Sequence, residues 1–489
     1  MNTTSITDHH LQKVTQALFL LGIGLAGYKL ILAPSLYIDE AMLALNFIER
    51  DFLGLTRTLD NLQVAPILFL WGEKLLFDLG KGNDVFLRFW PFIWYLGVLL
   101  LFWKLIHLLF QREWLRMVGM LLFVFNVALL EYAIMIKQYM GDVFLTLLIL
   151  WLLIRKWESP KQQLWVVAAV GAVGIFFSHI SPLLLAAAAV HLFFFSPYSK
   201  IKLLPIFGLW ALVFGLNYIL FIHRHPLKEG MGEFWTIAMG FVPDISEPKR
   251  LFTFFKWNFV NIFRKMLSMW TFSKYLIFLL VLTGITMLLY RKKWSMFILL
   301  MLPMLLHLIL SALKLYPFAP RLILYFIPLL ILLSLFGLEE YLCKLKKFPK
   351  IAFQATILSM FLFSFWKTMA QDYPGLDPGV RKGMQALADE LDNSPGRVYV
   401  SWFFSSAFKY YDQVQFREEN WQVLEISDLY GGLAKNLGDT KSEESDFFLF
   451  FSQVIVPYEA LLEEIEAQKG RILSFNCYDE CCLLHMEWE

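Results

Sequence analysis

Long apolar runs recur along this 489-residue chain and limit what it can fold into. The first covers residues 14–33, and the others lie near 85–110, 115–133, 140–154, 164–178, 182–196, 203–223, 274–290, 295–313, 322–342 and 351–369. A helix of about 20 apolar residues crosses the hydrocarbon core of a bilayer. Several runs have only about 15 residues, so we expect one or two pairs to be broken or tilted. The pattern predicts a polytopic α-helical membrane protein with about 11–13 spans.

The composition agrees with this fold class. Hydrophobic residues make up 58% of the chain and charged residues 17%, whereas soluble proteins average about 25% charged residues. The net charge is +2 and no long basic block occurs, which argues against a nucleic-acid partner. No small-residue cleavage site follows the first apolar run, so we expect an uncleaved anchor rather than a signal peptide.

The distribution of basic residues predicts the orientation of the chain in the membrane. Loops 111–116, 155–161, 196–202, 291–293 and 344–350 each carry at least two Lys or Arg residues. Short loops rich in Lys and Arg stay in the cytoplasm. We therefore expect a cytoplasmic N-terminus and, with an odd number of spans, an extracytoplasmic C-terminus.

Residues 371–489 are more polar than the rest and predict a separate soluble α/β domain. Helices are expected near 380–391 and 457–470, and strands near 397–402, 447–451 and 471–475. In an oxidising compartment Cys477 is expected to pair with either Cys481 or Cys482. The cysteine spacing and the lack of a nearby His argue against a zinc site. The remaining residues, 1–370, form the predicted transmembrane domain, with large outer loops at 34–84 and 224–273.

Two adjacent acids, Asp39 and Glu40, follow the first apolar run directly. A carboxylate at the lip of a membrane is placed to deprotonate an alcohol while a lipid-borne substrate stays in the bilayer. The simpler interpretation is a solvated acid at the interface, because an acid outside the hydrocarbon costs little free energy.

The short segment 131–142 between the third and fourth runs is unusually polar for its position. Lys137 is expected either to hold a phosphate or to extend towards the interface as a plain surface lysine. Glu131 or Asp142 is expected to help hold a metal or to order Lys137.

Other cations and one histidine also fall near predicted outer ends of spans. Arg321 is either a phosphate clamp or an interface anchor. His179 is a candidate ligand, although a lone His is more often a hydrogen-bonded structural residue. Arg224 belongs to the second outer loop, whose basic residues either attract phosphate or simply cross with a long loop.

Several motifs, in their order along the chain, resemble the GT-C superfamily of membrane glycosyltransferases, in the branch of the protein O-mannosyltransferases and the aminoarabinose transferase of lipid A. They are the Tyr-Ile-Asp-Glu of residues 37–40, the Gln-Val-Ala-Pro of 63–66, the Phe-Leu-Arg-Phe-Trp-Pro of 86–91, Tyr132 with the Lys-Gln-Tyr of 137–139, and the Tyr-Pro-Phe of 316–318 with Arg321. The likeness covers roughly residues 10–345.

The resemblance implies an outward-facing active site with a polyprenyl-phosphate sugar as donor. Asp39 would be the catalytic base or a metal-linked carboxylate, with Glu40 as its catalytic neighbour. Lys137 would face the donor phosphate, and Gln63 and Tyr139 would line the substrate site. Relatives often carry an acid where this chain has Met135. A divalent metal, Mg²⁺ or Mn²⁺, therefore stays an open expectation, with Asp39 and either Glu131 or Asp142 as ligands.

The leading hypothesis is thus a glycosyltransferase of the cell envelope, in a bacterial plasma membrane, that acts on a lipid-linked glycan, a polysaccharide or a protein. One alternative is a transporter or flippase of a lipid-linked saccharide. Transporters often place charge at the middle of broken helices, whereas the charges here gather at outer span ends. A third hypothesis is a non-catalytic membrane scaffold, which predicts that Asp39→Asn has no effect on function.

Overall fold

Helices make up most of the protein, as the apolar runs predict. The computed structural model describes residues 6–223, 228–270, 272–373, 377–391, 396–416, 421–426, 446–452, 458–467 and 469–488. The α-helices before the C-terminal sheet are α1 (Ile6–Leu32), α2 (Ile38–Glu49), α3 (Ile67–Gly80), α4 (Asp84–Leu109), α5 (Glu113–Val124), α6 (Val127–Tyr132), α7 (Tyr139–Ile154), α8 (Pro160–Phe177), α9 (Ser181–Phe195), α10 (Lys200–Asn217), α11 (Lys228–Ile237), α12 (Pro248–Val260), α13 (Ser273–Tyr290), α14 (Trp294–Ala312), α15 (Phe326–Lys344) and α16 (Lys347–Asp372).

Eight helices in the described part of the chain are long and apolar enough to cross a membrane, namely α1, α4, α8, α10 and α13 to α16. Two further apolar helices, α7 and α9, are shorter. The predicted third span is divided into α5 and α6. Asn126 caps α6 by accepting a hydrogen bond from the Leu129 N–H (3.0 Å), and its amide donates to the Met266 carbonyl (2.6 Å). A side chain that bonds to the backbone in this way competes with the continuing helix, which explains the break.

Helix α15 differs from the other long helices because it is buried on nearly all sides. In its most apolar stretch, 83% of the residues are buried inside the protein. It packs closely on α13, where a Cβ added to Gly284 would lie 2.0 Å from the Leu333 carbonyl oxygen. Small residues permit such close approach between membrane helices. On the other long helices large apolar side chains are exposed, such as Ile31 (79%) and Ile201 (76%), which suits contact with lipid.

The C-terminal region contains a five-stranded mixed sheet in the order β2-β1-β3-β5-β4. Its strands are β1 (Gly396–Ser401), β2 (Trp421–Ile426), β3 (Asp446–Ser452), β4 (Gly470–Tyr478) and β5 (Cys481–Trp488), and its helices are α17 (Val380–Leu391), α18 (Trp402–Tyr411) and α19 (Tyr458–Ala467). Strand β1 is parallel to β2 and β3, whereas β5 is antiparallel to β3 and β4. All five elements predicted here are present, and β2, β5 and α18 were not predicted.

The sequence predicts one disulfide with two alternative partners for Cys477, and one of these two pairings forms. Cys477 on β4 pairs with Cys482 on β5, its cross-strand partner in the register, and Cys481 is a buried free thiol. Successive side chains of a strand point to opposite faces of the sheet. For this reason only one of the two adjacent cysteines is directed at Cys477.

The C-terminal region also forms hydrogen bonds with the segment that leads into α2. The Leu36 N–H donates to the Tyr411 hydroxyl (2.8 Å), the Ser35 N–H donates to Asp377 Oδ1 (2.8 Å), and Arg381 donates to the Ala33 carbonyl (2.8 Å). Buried apolar residues of α2 and α3 form one core with those of α17, α18 and the sheet. The entry to α2, and thus Asp39, is therefore positioned by both parts of the protein.

Candidate functional site

The first turn of α2 determines where the two adjacent acids point. Tyr37 is the N-cap residue, and the Glu40 carboxylate returns to accept a hydrogen bond from the Tyr37 N–H (3.1 Å). This capping box fixes the direction of the helix start. Successive helical residues are about 100° apart around the axis. As a result, the side chain of Asp39 is 40% exposed, whereas that of Glu40 is 1% exposed.

Asp39 forms an ion pair with Arg321, which lies 282 positions along the chain in the segment between α14 and α15. The Arg321 side chain is 32% exposed, and its guanidinium lies 5.2 Å from the centre of the Trp235 ring on α11. Both charged groups thus lie at a partly open surface. An arginine in this position presents N–H donors with a geometry suited to a phosphate or carboxylate.

Lys137 supplies a second cation to the same place. It lies in the segment between α6 and α7, is 7% exposed, and donates to Gln63 Oε1 (2.5 Å). Burial lowers its pKa to about 8, while the nearby charge of Asp39 opposes that effect and Arg321 reinforces it. At neutral pH the ammonium is therefore mostly protonated, and it gains from any added negative charge.

Two tyrosines complete this group of residues. The rings of Tyr132 and Tyr139 meet edge to face with their centres 5.4 Å apart. Both hydroxyls interact electrostatically with Asp39 and Arg321. The structure thus brings together five residues predicted from the sequence, Asp39, Gln63, Lys137, Tyr139 and Arg321. We refer to these five with Tyr132 and Trp235 as the Asp39 cluster.

Three residues of this neighbourhood were missed as site residues in the sequence, and Tyr132, like Arg88, was part of a recognised motif. Trp235 lies on an amphipathic helix of the predicted second outer loop, where aromatic residues are too abundant for one of them to stand out in the sequence. Arg88 was part of a recognised motif but had no assigned function. It is 2% exposed and pairs with Glu40 at 3.0 Å.

Glu40, expected to be a catalytic neighbour of Asp39, has a different environment. Its two oxygens accept from Arg88 (3.0 and 3.4 Å), from the Ile136 N–H (2.8 Å) and from the Tyr37 N–H. No oxygen of this carboxylate is open to a substrate. The geometry favours a role in which Glu40 ties α2 to α4 and to the segment that carries Lys137.

The carboxylates named as metal ligands do not converge. Asp142 is buried and accepts a hydrogen bond from the Ser178 hydroxyl, Glu131 lines a separate cavity, and Asp39 is occupied by Arg321. Among the described residues no group of three or more His, Cys, Asp or Glu side chains can hold a metal ion. The proposed set of Asp39, Glu131 and Asp142 therefore does not fit Mg²⁺ or Mn²⁺.

The two remaining candidates do not join the cluster. His179 lies in the turn between α8 and α9, with a buried Nε2 that has no hydrogen-bond partner in the described structure. Burial lowers its pKa to about 4, so the ring is neutral at pH 7 and does not attract phosphate by charge. Arg224 lies outside the described residues.

Comparison with known proteins identifies the fold. No protein-family model and no curated protein matches the sequence. The crystal structure of ArnT from Cupriavidus metallidurans in the apo state aligns over 95% of this chain and 97% of its own, with a TM-score of 0.54 and 11% identity. The same protein bound to undecaprenyl phosphate aligns over the same shares, with a TM-score of 0.50.

A third structure, arabinofuranosyltransferase AftD from Mycobacteria, aligns over 99% of this chain but 42% of its own, with 14% identity. Its TM-score of 0.45 is too low to bear on the fold. The alignments to ArnT extend through the membrane helices and the C-terminal sheet alike. This chain is thus an integral multi-pass membrane protein with a GT-C-like fold.

Proposed function

We propose that this protein is a membrane glycosyltransferase that moves a sugar from a polyprenyl-phosphate donor to an acceptor hydroxyl. The observation that carries the proposal is the Asp39 cluster. One partly exposed carboxylate and two cations, drawn from three distant segments, meet where the membrane helices end. Neither a structural scaffold nor a surface salt bridge requires a second, buried cation at this place.

The chemistry divides between the acid and the cations. Asp39 takes the proton of the acceptor hydroxyl as the hydroxyl oxygen bonds to the anomeric carbon of the sugar. The bond between that carbon and the phosphate oxygen breaks, and its electron pair leaves with the polyprenyl phosphate. Arg321 and Lys137 stabilise the negative charge that grows on this leaving group. On donor binding, Arg321 turns from Asp39 towards the phosphate and frees the carboxylate to act as base.

The choice of a lipid-linked donor rests on position. The Asp39 cluster adjoins helix ends, so a headgroup reaches it while a polyprenyl tail stays beside apolar helices such as α1. ArnT, which shares the fold, is bound to undecaprenyl phosphate in one of its structures. The acceptor is expected to be a lipid-linked glycan, a cell-surface polysaccharide or a protein.

The short basic loops support an orientation with the N-terminus in the cytoplasm and with this site and the C-terminal region outside. The disulfide between Cys477 and Cys482 supports that orientation, because disulfides persist in oxidising compartments. Labelling by a membrane-impermeant thiol reagent tests it. In a Cys343→Ser background, a cysteine at Lys409 should react in intact cells and one at Lys156 should not.

The decisive experiment is transfer by purified Asp39→Asn with a polyprenyl-phosphate sugar and a mixed acceptor preparation. Asparagine still accepts a hydrogen bond from Arg321 but does not take a proton. We expect a loss of about 10²–10⁴-fold in turnover, with donor binding and folding retained. Glu49→Gln, an exposed acid at the other end of α2, is the matched control and should keep wild-type turnover. Wild-type transfer by Asp39→Asn would refute the proposal, and movement of the intact donor across vesicles without transfer would support a flippase.

A further inference from the structure

A second cavity lies on the other side of the first turn of α2 from Asp39. Its volume is about 520 Å³, and it lies between the outer end of α1, the segment after α6, and the start of α17. Glu40 and Arg88 form part of its wall, so their ion pair separates it from the Asp39 cluster. Nothing in the proposed transfer reaction uses this space.

Most charged groups around this cavity already have partners. Arg88 pairs with Glu40 (3.0 Å), Arg381 with Asp84 (2.8 Å), and Lys382 with Asp479 (2.6 Å) and Asp377 (3.8 Å). These pairs neutralise one another. They leave two charged side chains of the lining to be explained, Lys29 and Glu131.

Lys29 is 5% exposed, yet in the described structure its ammonium has no hydrogen bond and no salt bridge. It has only a distant contact, 5.8 Å from the centre of the Tyr373 ring. A buried charge without a partner is costly. Glu131 is exposed to the cavity, and its carboxylate likewise has no hydrogen bond or salt bridge to a described residue. The two interact electrostatically but are too far apart to form a salt bridge.

Among the described residues that line it, the cavity thus presents one free cation and one free anion, separated by open space. A ligand that satisfies both carries a negative and a positive group on a short linker. The cavity also opens beside lipid-facing side chains of α1, since Leu32 lines it and is 45% exposed while Ile31 is 79% exposed. Acyl chains have an apolar surface to follow directly outside the opening.

We propose that this cavity binds a zwitterionic phospholipid headgroup of the phosphoethanolamine type. The phosphate accepts hydrogen bonds from the Lys29 ammonium, and the primary ammonium of the headgroup donates to the Glu131 carboxylate. The acyl chains extend along the exposed face of α1. A quaternary ammonium has no N–H to donate to Glu131, and a glycerol headgroup has no cation, so both are weaker ligands. The bound lipid fills the junction between the membrane helices and the C-terminal region.

Native mass spectrometry of the full protein, released from detergent with added lipid, tests this proposal. Phosphatidylethanolamine, phosphatidylglycerol and phosphatidylcholine of equal chain length are titrated separately, with inorganic phosphate as the chain-free probe. We expect phosphatidylethanolamine to bind most tightly and inorganic phosphate to compete poorly. Lys29→Met and Glu131→Gln should each weaken its binding by about tenfold, the worth of one charged hydrogen bond.

Matched controls make the result specific. Lys13→Met, an exposed lysine near the other end of α1, and Glu158→Gln, an exposed acid, should leave lipid binding unchanged. Lys29→Arg, which keeps the charge, should retain binding, and Lys29→Gln replaces Lys29→Met if that variant does not fold. Equal binding of the three lipids, or a loss only in Lys29→Met with Glu131→Gln neutral, would overturn the zwitterionic assignment. Failure of wild type to retain any lipid would overturn the site. None of these readouts depends on sugar transfer.

Discussion

Asp39 and Glu40 are neighbours in the chain, and each pairs with an arginine, yet their surroundings differ in almost every respect. The Asp39–Arg321 pair is partly exposed on both sides and has a second cation beside it. The Glu40–Arg88 pair is 1–2% exposed, and both Glu40 oxygens receive further backbone donors. A charge pair that remains partly open can exchange a partner for a substrate. One that is enclosed and fully hydrogen-bonded cannot do so without a large loss of free energy.

The comparison also shows how a rotation of about 100° around the axis of α2 gives two adjacent acids different surroundings. The enclosed pair joins α2, α4 and the segment after α6, and it also separates the Asp39 cluster from the second cavity. The partly exposed Asp39–Arg321 pair lies beside this framework, which positions α2. In the proposed reaction, adjacent acids thus take different parts, catalysis for Asp39 and support for Glu40, because of their angle around α2 rather than their residue type.

Glu40→Gln is expected to have the largest effect on stability. Glutamine has nearly the same shape, but it removes the carboxylate that forms the ion pair with buried Arg88 and directs an amide N–H group at the Tyr37 or Ile136 N–H. Breaking a buried pair in this way costs about 3–5 kcal/mol. Thermal unfolding in detergent should show a large fall in midpoint, with Glu49→Gln close to wild type. If Glu40→Gln kept its stability but lost transfer, Glu40 would belong with Asp39 in the reaction and the comparison would fail.

Lys137→Met should weaken donor binding while leaving the fold intact. One charged hydrogen bond to phosphate contributes about 1.5–3 kcal/mol, so KM for the donor should rise about tenfold to a hundredfold. The acceptor KM should change little, because the ammonium faces the leaving group in the proposed reaction. Lys256→Met, which changes an exposed lysine of α12 in the predicted second outer loop, is the control. An unchanged donor KM in Lys137→Met would assign this lysine to a structural contact with Gln63 alone.

The pH dependence of transfer is a second test of whether the charge of Lys137 contributes to donor binding. Burial lowers the pKa of Lys137 to about 8, so the free protein loses this positive charge as the pH rises through that value. Because the neutral amine does not attract phosphate, kcat/KM for the donor should fall above about pH 8, by up to tenfold per pH unit. Lys137→Arg stays protonated throughout this range and should remove the fall. A fall that persists in Lys137→Arg would have another origin.

Much of this arrangement was predictable, because the end of an apolar run marks where a helix leaves the membrane. Asp39, Lys137 and Arg321 all lie at such ends on the predicted outer side, and they do meet. The partner of each acid was not predictable, since Glu40 and Arg88 are 48 positions apart and their contact depends on how α2 and α4 pack. The break at Asn126 and the contact of Trp235 with Arg321 likewise depend on tertiary neighbours, which leave no periodic signal.

The prediction with the smallest expected effect concerns Tyr411. It tests whether the C-terminal region helps to position Asp39. The Tyr411 hydroxyl accepts from the Leu36 N–H and donates to Asp84 Oδ2, both at 2.8 Å. Tyr411→Phe removes these bonds at the entry to α2, at a cost of about 1 kcal/mol, and should lower kcat a few-fold with an unchanged donor KM.

Tyr410 is the matched control because it is also fully buried on α18, but its hydroxyl donates to the Gly82 carbonyl (2.7 Å), away from α2. Tyr410→Phe should lose a similar amount of stability and keep its turnover. Equal falls in kcat would mean that turnover follows general stability. A fall in Tyr411→Phe alone would show that the entry to α2, held from outside the membrane helices, sets the position of the proposed base.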